Sequence, residues 1–322
     1  MRLHNHVYML SNNDKLEVNL AMSHLKGKVL GSALFLTYRL TMHSLTRELA
    51  MELHDDTYGF FIVHVILRYF GISSYVADKI GVQDEYGNVF AHVREAKYTL
   101  DRQEDRLVRD SALSSHFHTD EACDIVAMHT SGHAAEGGEH IVASSLAVYE
   151  ILFQNCPEVV SALMEAIWHL DTRGRLAQGQ ARPILYKHGN RVIFNFNKQA
   201  LRGVPGIQPL RLELALSSRQ LEALNAVEAA VRQVQSPLKT QLGDMAFVNS
   251  LSMLHSRKSF RDSPSETRHL VRPWLKNFEL AYSLPSPIGE LNARLFDELV
   301  KRTWNVLPKT RLAFTFAERL GP

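Results

Sequence analysis

Hydrophobic and polar positions alternate in short runs along much of this chain, and turn residues separate the runs. "GFFIVHVI", residues 59–66, is a continuous apolar run of strand length and predicts a buried strand. "NVFAHVREAK" follows the turn signal "DEYG" and predicts another. In "PILYKHGNRVIFNFN" two runs rich in Val, Ile, Tyr and Phe flank His188-Gly189-Asn190, the signature of a hairpin. "GDMAFVNSLSMLHSR" reads as turn, strand, turn and the start of another strand, and "RHLVRPWLKNFEL" as a further strand.

Other segments have helical spacing. "SLTRELAMELHDD" predicts a helix with Ser44 as N-cap, and "SSYVADKIG" one ending at Gly81. "SSLAVYEILFQNC" is capped by Ser144 or Ser145, and Pro157 opens "PEVVSALMEAIWH", because the first helical turn tolerates proline. The clearest helix is "SSRQLEALNAVEAAVRQV". Ser217 and Gln220 can form a capping box, and Leu221, Leu224, Val227, Val231 and Val234 make one apolar stripe. Strands form the core and helices surround it, so the predicted class is α+β. No repeat or low-complexity block divides the chain, which predicts a single domain over residues 1–322. "HSRKSFRDSPSETR" reads as a long connection within it.

Charge narrows the partners. The 322 residues carry a formal net charge of +2, too little to favour nucleic acid or an anionic membrane. A small-molecule substrate is the expected partner, and a homo-oligomer is compatible with everything read so far. "YGFFIVHVILRYF" is too short for a membrane span and is interrupted by His64 and Arg68. The first residues lack a signal-peptide pattern. Cys123 and Cys156 are the two cysteines and form no CxxC, so a reducing, cytoplasmic setting is expected.

Candidate chemistry lies in "SSHFHTDEACDIVAMHTSGHAAEGGEHIV", residues 114–142. If "HFHTDEA" is extended, His118 and Asp120 share a face, and so does His116, so parity alone does not choose between the histidines. One histidine and one carboxylate fill two adjacent coordination positions. A third ligand from elsewhere would complete a 2-His-1-carboxylate triad, the arrangement of non-haem Fe(II) oxygenases. "LHSR" supplies His255, and Arg268 and Arg272 follow at strand spacing i, i+4, so both can project into one cavity. Their planar forks suit carboxylates. His129 and His133 are spaced i, i+4, but Thr130, Ser131 and Gly132 make a helix improbable there, and they read as loop residues. Trp274 shares the arginine face by parity, with core packing as its expected role.

The order HxD, then "GG", then GDxxFxNxxxxLHxR, then RHLxRxWL resembles the TauD/TfdA-like family of Fe(II)- and 2-oxoglutarate-dependent oxygenases, relatives of the clavaminate synthases. The resemblance is densest at residues 111–146 and 243–280 and weaker back toward residue 45. It implies a double-stranded β-helix, the cupin-like jelly roll, with surrounding helices. It implies His118, Asp120 and His255 as ligands of Fe(II), and Arg268 as partner of the distal carboxylate of 2-oxoglutarate. Arg272 matches a second arginine that faces a substrate anion or the oxo-acid end. Many relatives carry Thr or Ser after the "GG-acid" step; here Gly137-Gly138-Glu139 is followed by His140, which stands as a co-substrate contact or as polar packing. The implied activity consumes 2-oxoglutarate and O2 and oxidises a C–H bond of a small, carboxylate-bearing molecule such as an amino acid or natural-product intermediate, by hydroxylation, desaturation or oxidative cyclisation. Asp120 argues against halogenation, which needs a small residue there. The competing readings are a non-catalytic jelly-roll binding protein and a cupin-type hydrolase or isomerase, neither of which needs a dicarboxylate clamp.

Overall fold

The computed structural model describes residues 36–38, 69, 73, 76–84, 86–96, 108–120, 122–169, 181–198, 201, 216–279 and 281–305. The helix expected from Ser44 and the strand at 59–66 lie outside these residues. In chain order the described strands are β1 (Leu36–Tyr38), β2 (Lys79–Ile80), β3 (Ala91–Arg94), β4 (Ser115–His118), β5 (Ile125–Gly132), β6 (Glu136–Gly137), β7 (His140–Ser144), β8 (Leu185–His188), β9 (Arg191–Phe194), β10 (Ser236–Leu238), β11 (Met245–Asn249), β12 (Met253–Arg257), β13 (Phe260–Arg261), β14 (His269–Arg272) and β15 (Trp274–Lys276). The helices are α1 (Ser145–Asn155), α2 (Pro157–Met164), α3 (Ser218–Val234) and α4 (Ile288–Leu295).

Two antiparallel sheets organise these elements. The larger runs β1-β11-β5-β14-β3, and β15 pairs with both β5 and β2; the smaller runs β10-β7-β12-β4. This is the expected α+β jelly roll. Period-two alternation sorts every strand between two environments. Val126 and Met128 of β5, Val142 of β7, Met253 of β12 and Leu270 of β14 meet in one buried cluster between the sheets. Ala127, Met245, Val271 and Leu275 point the other way, into a cluster with Tyr69 and Phe90 on the outer face of the large sheet. Ala143 and Leu254 point out of the small sheet and pack under α1, α2 and α3.

Helix α3 forms as its sequence dictates. Ser217 accepts from the Gln220 backbone while the Gln220 side chain accepts from the Ser217 backbone, and Leu224, Val227 and Val231 are buried. The Gly189-Asn190 turn joins β8 to β9, with Gly189 at φ 59°, a left-handed conformation that glycine adopts without steric cost.

Several expectations need correction. "SSYVADKIG" is helical at Ser73 and Val76, but Lys79–Ile80 is an edge strand because its backbone completes the ladder of β15. Helix α2 stops at Met164: Glu165 is extended, and Trp168 turns back to donate its indole N–H to the Ala162 carbonyl. "RHLVRPWLKNFEL" makes two strands, since Pro273 offers no N–H to the ladder. His129 lies inside β5 and is buried, so it is a strand residue.

Candidate active site

The inward-facing set of the two sheets carries the candidate chemistry. His255 shares its strand face with Met253, and register pairs it with His118 across the β12–β4 ladder. Their rings lie 4.3 Å apart, centroid to centroid. Asp120 sits just beyond the end of β4. Its backbone N–H donates to the Ser250 hydroxyl, and the neighbouring Thr119 N–H donates to the Phe196 carbonyl, so two separate elements fix this turn. His116 does not join the group. Between the pairs His255–His118 and Arg257–Ser115 the β4 strand carries one extra residue. This bulge breaks the parity that would have put both histidines on one face. The His116 ring points instead toward Glu228 of α3, 3.4 Å away.

Oδ1 of Asp120 lies 3.7 Å from Nε2 of His118 and 3.7 Å from Nε2 of His255. One ligand atom from each of the three side chains falls within 4.8 Å of the others. The donors suit a divalent metal. The His116 carbonyl is 2.8 Å from Nδ1 of His118, so Nδ1 carries the proton and Nε2 presents its lone pair. Burial of His255, with the nearby His118 ring, pushes its pKa down to about 3, which keeps it a neutral donor. Burial alone would raise Asp120, but Arg272 and the two imidazoles reverse that and bring it to about 2, an ionised carboxylate. Two neutral imidazoles and one carboxylate are the donor set of a facial triad.

Beside this triad is a buried cationic cluster. Arg268, immediately before β14, is 4% exposed. Its Nε donates to the Gly138 carbonyl at 3.3 Å, and Nη2 lies 3.2 Å from Nε2 of His140. Because the guanidinium only donates, Nε2 of His140 accepts. That nitrogen orients the arginine. Burial, with help from neighbouring Arg268, holds His140 well below the usual histidine range, so it stays neutral. Nη1 of Arg268 is buried with no hydrogen-bond partner among the described residues. Burial and the neighbouring Arg257 lower Arg268 to about 9, which leaves it protonated at neutral pH. Arg257 is also buried, and its Nη2 donates to the Ser111 and Leu113 carbonyls that lead into β4. Both guanidiniums lie against the Phe260 ring, at 5.0 and 5.2 Å.

Glycine makes this cluster possible. Gly137 and Gly138 have φ of 72° and 79°. A Cβ on Gly138 would stand 2.9 Å from both Cδ and Nε of Arg268. The "GG" step therefore admits the arginine as well as the turn.

Arg272 faces the interior as parity requires, but it meets a protein carboxylate there. Its Nη1 is 2.8 Å from Oδ2 of Asp120, and Nη2 donates to Gln83 at 3.1 Å. Glu136 pairs with Arg261. Trp274 is buried as expected, and its indole N–H also donates to Oδ2 of Asp120 at 2.8 Å. Sequence reasoning assigned no role to Gln83, Phe260 or Arg257. Arg257 had a usable signal, since it lies two residues after His255 on one strand; Gln83 had none.

Two inward-facing histidines and a carboxylate on a jelly roll, beside a buried arginine, form a candidate metal site. The model of the "taurine catabolism dioxygenase TauD, TfdA family" matches residues 63–274, more than half of the chain. The chain therefore belongs to the TauD/TfdA family of Fe(II)- and 2-oxoglutarate-dependent oxygenases. It is 30% identical over 250 residues to the taurine hydroxylase-like protein SAT17 of Stachybotrys chartarum, covering 74% of this chain and 64% of that protein. It is 26% identical over 185 residues to FR-33289 synthase of Streptomyces rubellomurinus, covering 54% of this chain and 52% of that one. The chain thus spans less than two thirds of the length of either relative. Among solved structures, an asparagine oxygenase in complex with Fe(II), hydroxyasparagine and succinate superposes with a TM-score of 0.52 at 15% identity, covering 68% of this chain and 67% of that one. At that identity the likeness establishes the fold alone. No helix among the described residues is long and apolar enough to cross a membrane.

Proposed function

We propose that this protein oxidises a C–H bond of a small, amino-acid-like molecule, using Fe(II), 2-oxoglutarate and O2, with His118, Asp120 and His255 as the metal ligands. The observation that carries this reading is the convergence of the three ligand atoms beside an arginine with an unpaired, buried Nη1. Family membership supports the co-substrate, and the taurine hydroxylase-like relative supports an amino-acid-like substrate.

Iron with its co-substrate supplies oxidative decarboxylation of 2-oxoglutarate to succinate and CO2, coupled to oxidation of the substrate. The protein supplies position and charge. His118 and His255 would hold the metal through Nε2 and Asp120 through Oδ1. Arg268 would take the distal carboxylate of 2-oxoglutarate through Nη1, with Gly138 and His140 fixing the guanidinium plane. The buried apolar cluster between the sheets gives these groups a low-dielectric neighbour, which strengthens charge interactions.

The experiment is succinate release under air with Fe(II), 2-oxoglutarate and a panel of amino acids and taurine. Turnover should require iron, 2-oxoglutarate and one panel member together, and should vanish in His118→Ala, Asp120→Ala and His255→Ala with circular dichroism unchanged. Stoichiometric ligand binding without succinate release would instead favour a binding protein, and metal-dependent turnover without 2-oxoglutarate a hydrolase or isomerase.

A further inference from the structure

We infer that Arg272 and Trp274 are positioning residues for Asp120. The inference rests on reading His118, Asp120 and His255 as the metal ligands.

The two oxygens of Asp120 have different surroundings. Oδ1 faces the two histidine nitrogens at equal distance. Oδ2 receives the indole N–H of Trp274 and the Nη1 of Arg272, both at 2.8 Å. A carboxylate oxygen accepts about two hydrogen bonds, so Oδ2 is saturated and Oδ1 alone is presented to a metal. The donors are themselves held. Gln83 accepts from the far side of the Arg272 guanidinium. That guanidinium lies 5.4 Å from the Trp274 ring, and Trp274 is buried against α4. The two donors lie two residues apart, Arg272 ending β14 and Trp274 opening β15, with Pro273 between them.

The consequence concerns coordination number. A carboxylate binding through one oxygen leaves three positions open, enough for a two-atom chelate and O2 together. Binding through both oxygens would occupy one of those positions. The Arg272–Trp274 pair thus reserves a site on the metal. Nη1 of Arg272 is engaged on Asp120 and Nη2 on Gln83, while its Nε is buried without a hydrogen-bond partner among the described residues.

The test uses Co(II) as probe, titrated anaerobically into metal-free full-length protein with neither 2-oxoglutarate nor substrate present. The readouts are dissociation constant and visible absorption bands, which report coordination number and geometry. Wild type should bind one Co(II), and His118→Ala should lose it; absence of binding by wild type would defeat the ligand assignment itself. Trp274→Phe removes a donor without changing charge, and it should weaken Co(II) binding about 10- to 100-fold. Arg272→Gln removes the positive charge, which by itself favours a cation, so its diagnostic is the band pattern: it should shift, and Arg272→Lys should restore it in part. Should Trp274→Phe fail to fold, the Arg272 variants decide alone. If wild type binds Co(II) and these variants reproduce both its affinity and its spectrum, Asp120 needs no positioning by them and the inference is overturned.

Discussion

Gly138→Ala tests the cationic cluster through a single methyl group. Gly138 has φ of 79°, where an L-residue costs about 1–2 kcal/mol. The added Cβ would lie 2.9 Å from Cδ and Nε of Arg268 and 3.2 Å from Cβ of Phe260, tighter than ordinary van der Waals contact. The Gly138 backbone cannot easily yield, because its N–H donates to Ser259 and its carbonyl accepts from Arg268. The arginine must move instead, and Nη1 moves with it. A charged hydrogen bond contributes about 1.5–3 kcal/mol, so losing the one to 2-oxoglutarate should weaken its apparent affinity about 10- to 150-fold. Succinate release measured across 2-oxoglutarate concentrations gives that affinity. Co(II) affinity, measured alongside, should be unchanged because no metal ligand is disturbed. A variant with a lowered melting temperature and unaltered 2-oxoglutarate affinity would show that Arg268 does not hold the co-substrate.

Two further outcomes concern stability. His92, His129 and His269 sit on the outer face of the large sheet, where burial lowers their pKa values to about 4, 4 and 3, against about 6.5 when unfolded. Above pH 6.5 both states leave them neutral; as pH falls below 6.5 the unfolded chain binds protons that the folded one refuses. Stability should therefore fall by up to about 1.4 kcal/mol per pH unit for each histidine until the folded values are reached, and urea midpoints at pH 7 and 5 should differ less in His129→Gln than in wild type. Equal slopes in the two proteins would mean that His129 is not held neutral. Ser217→Ala removes the N-cap of α3 and should cost about 1 kcal/mol, read as a lower urea midpoint with an unchanged slope.

What could be read from the sequence was local in origin. The cap and stripe of α3, the β8–β9 hairpin and the strand pair around His255 follow from spacing, caps and turn residues, which act within a few positions. Strand parity also foresaw that Arg268, Arg272 and Trp274 face one interior, because alternation is a property of the backbone itself. Choosing His118 over His116 needed a resemblance to a family. The physical cause of that choice is a bulge in β4, and a bulge exists only once β4 is paired with β12. Tertiary structure likewise decided what Arg272 meets. A guanidinium read along one strand is free for any anion. Folding brings the end of β4 across to β14, and there Asp120 takes it, 152 positions away in sequence and 2.8 Å away in space. The neutral form that lets His140 accept from Arg268 has the same origin, since burial removes the water that would otherwise solvate the charged imidazolium.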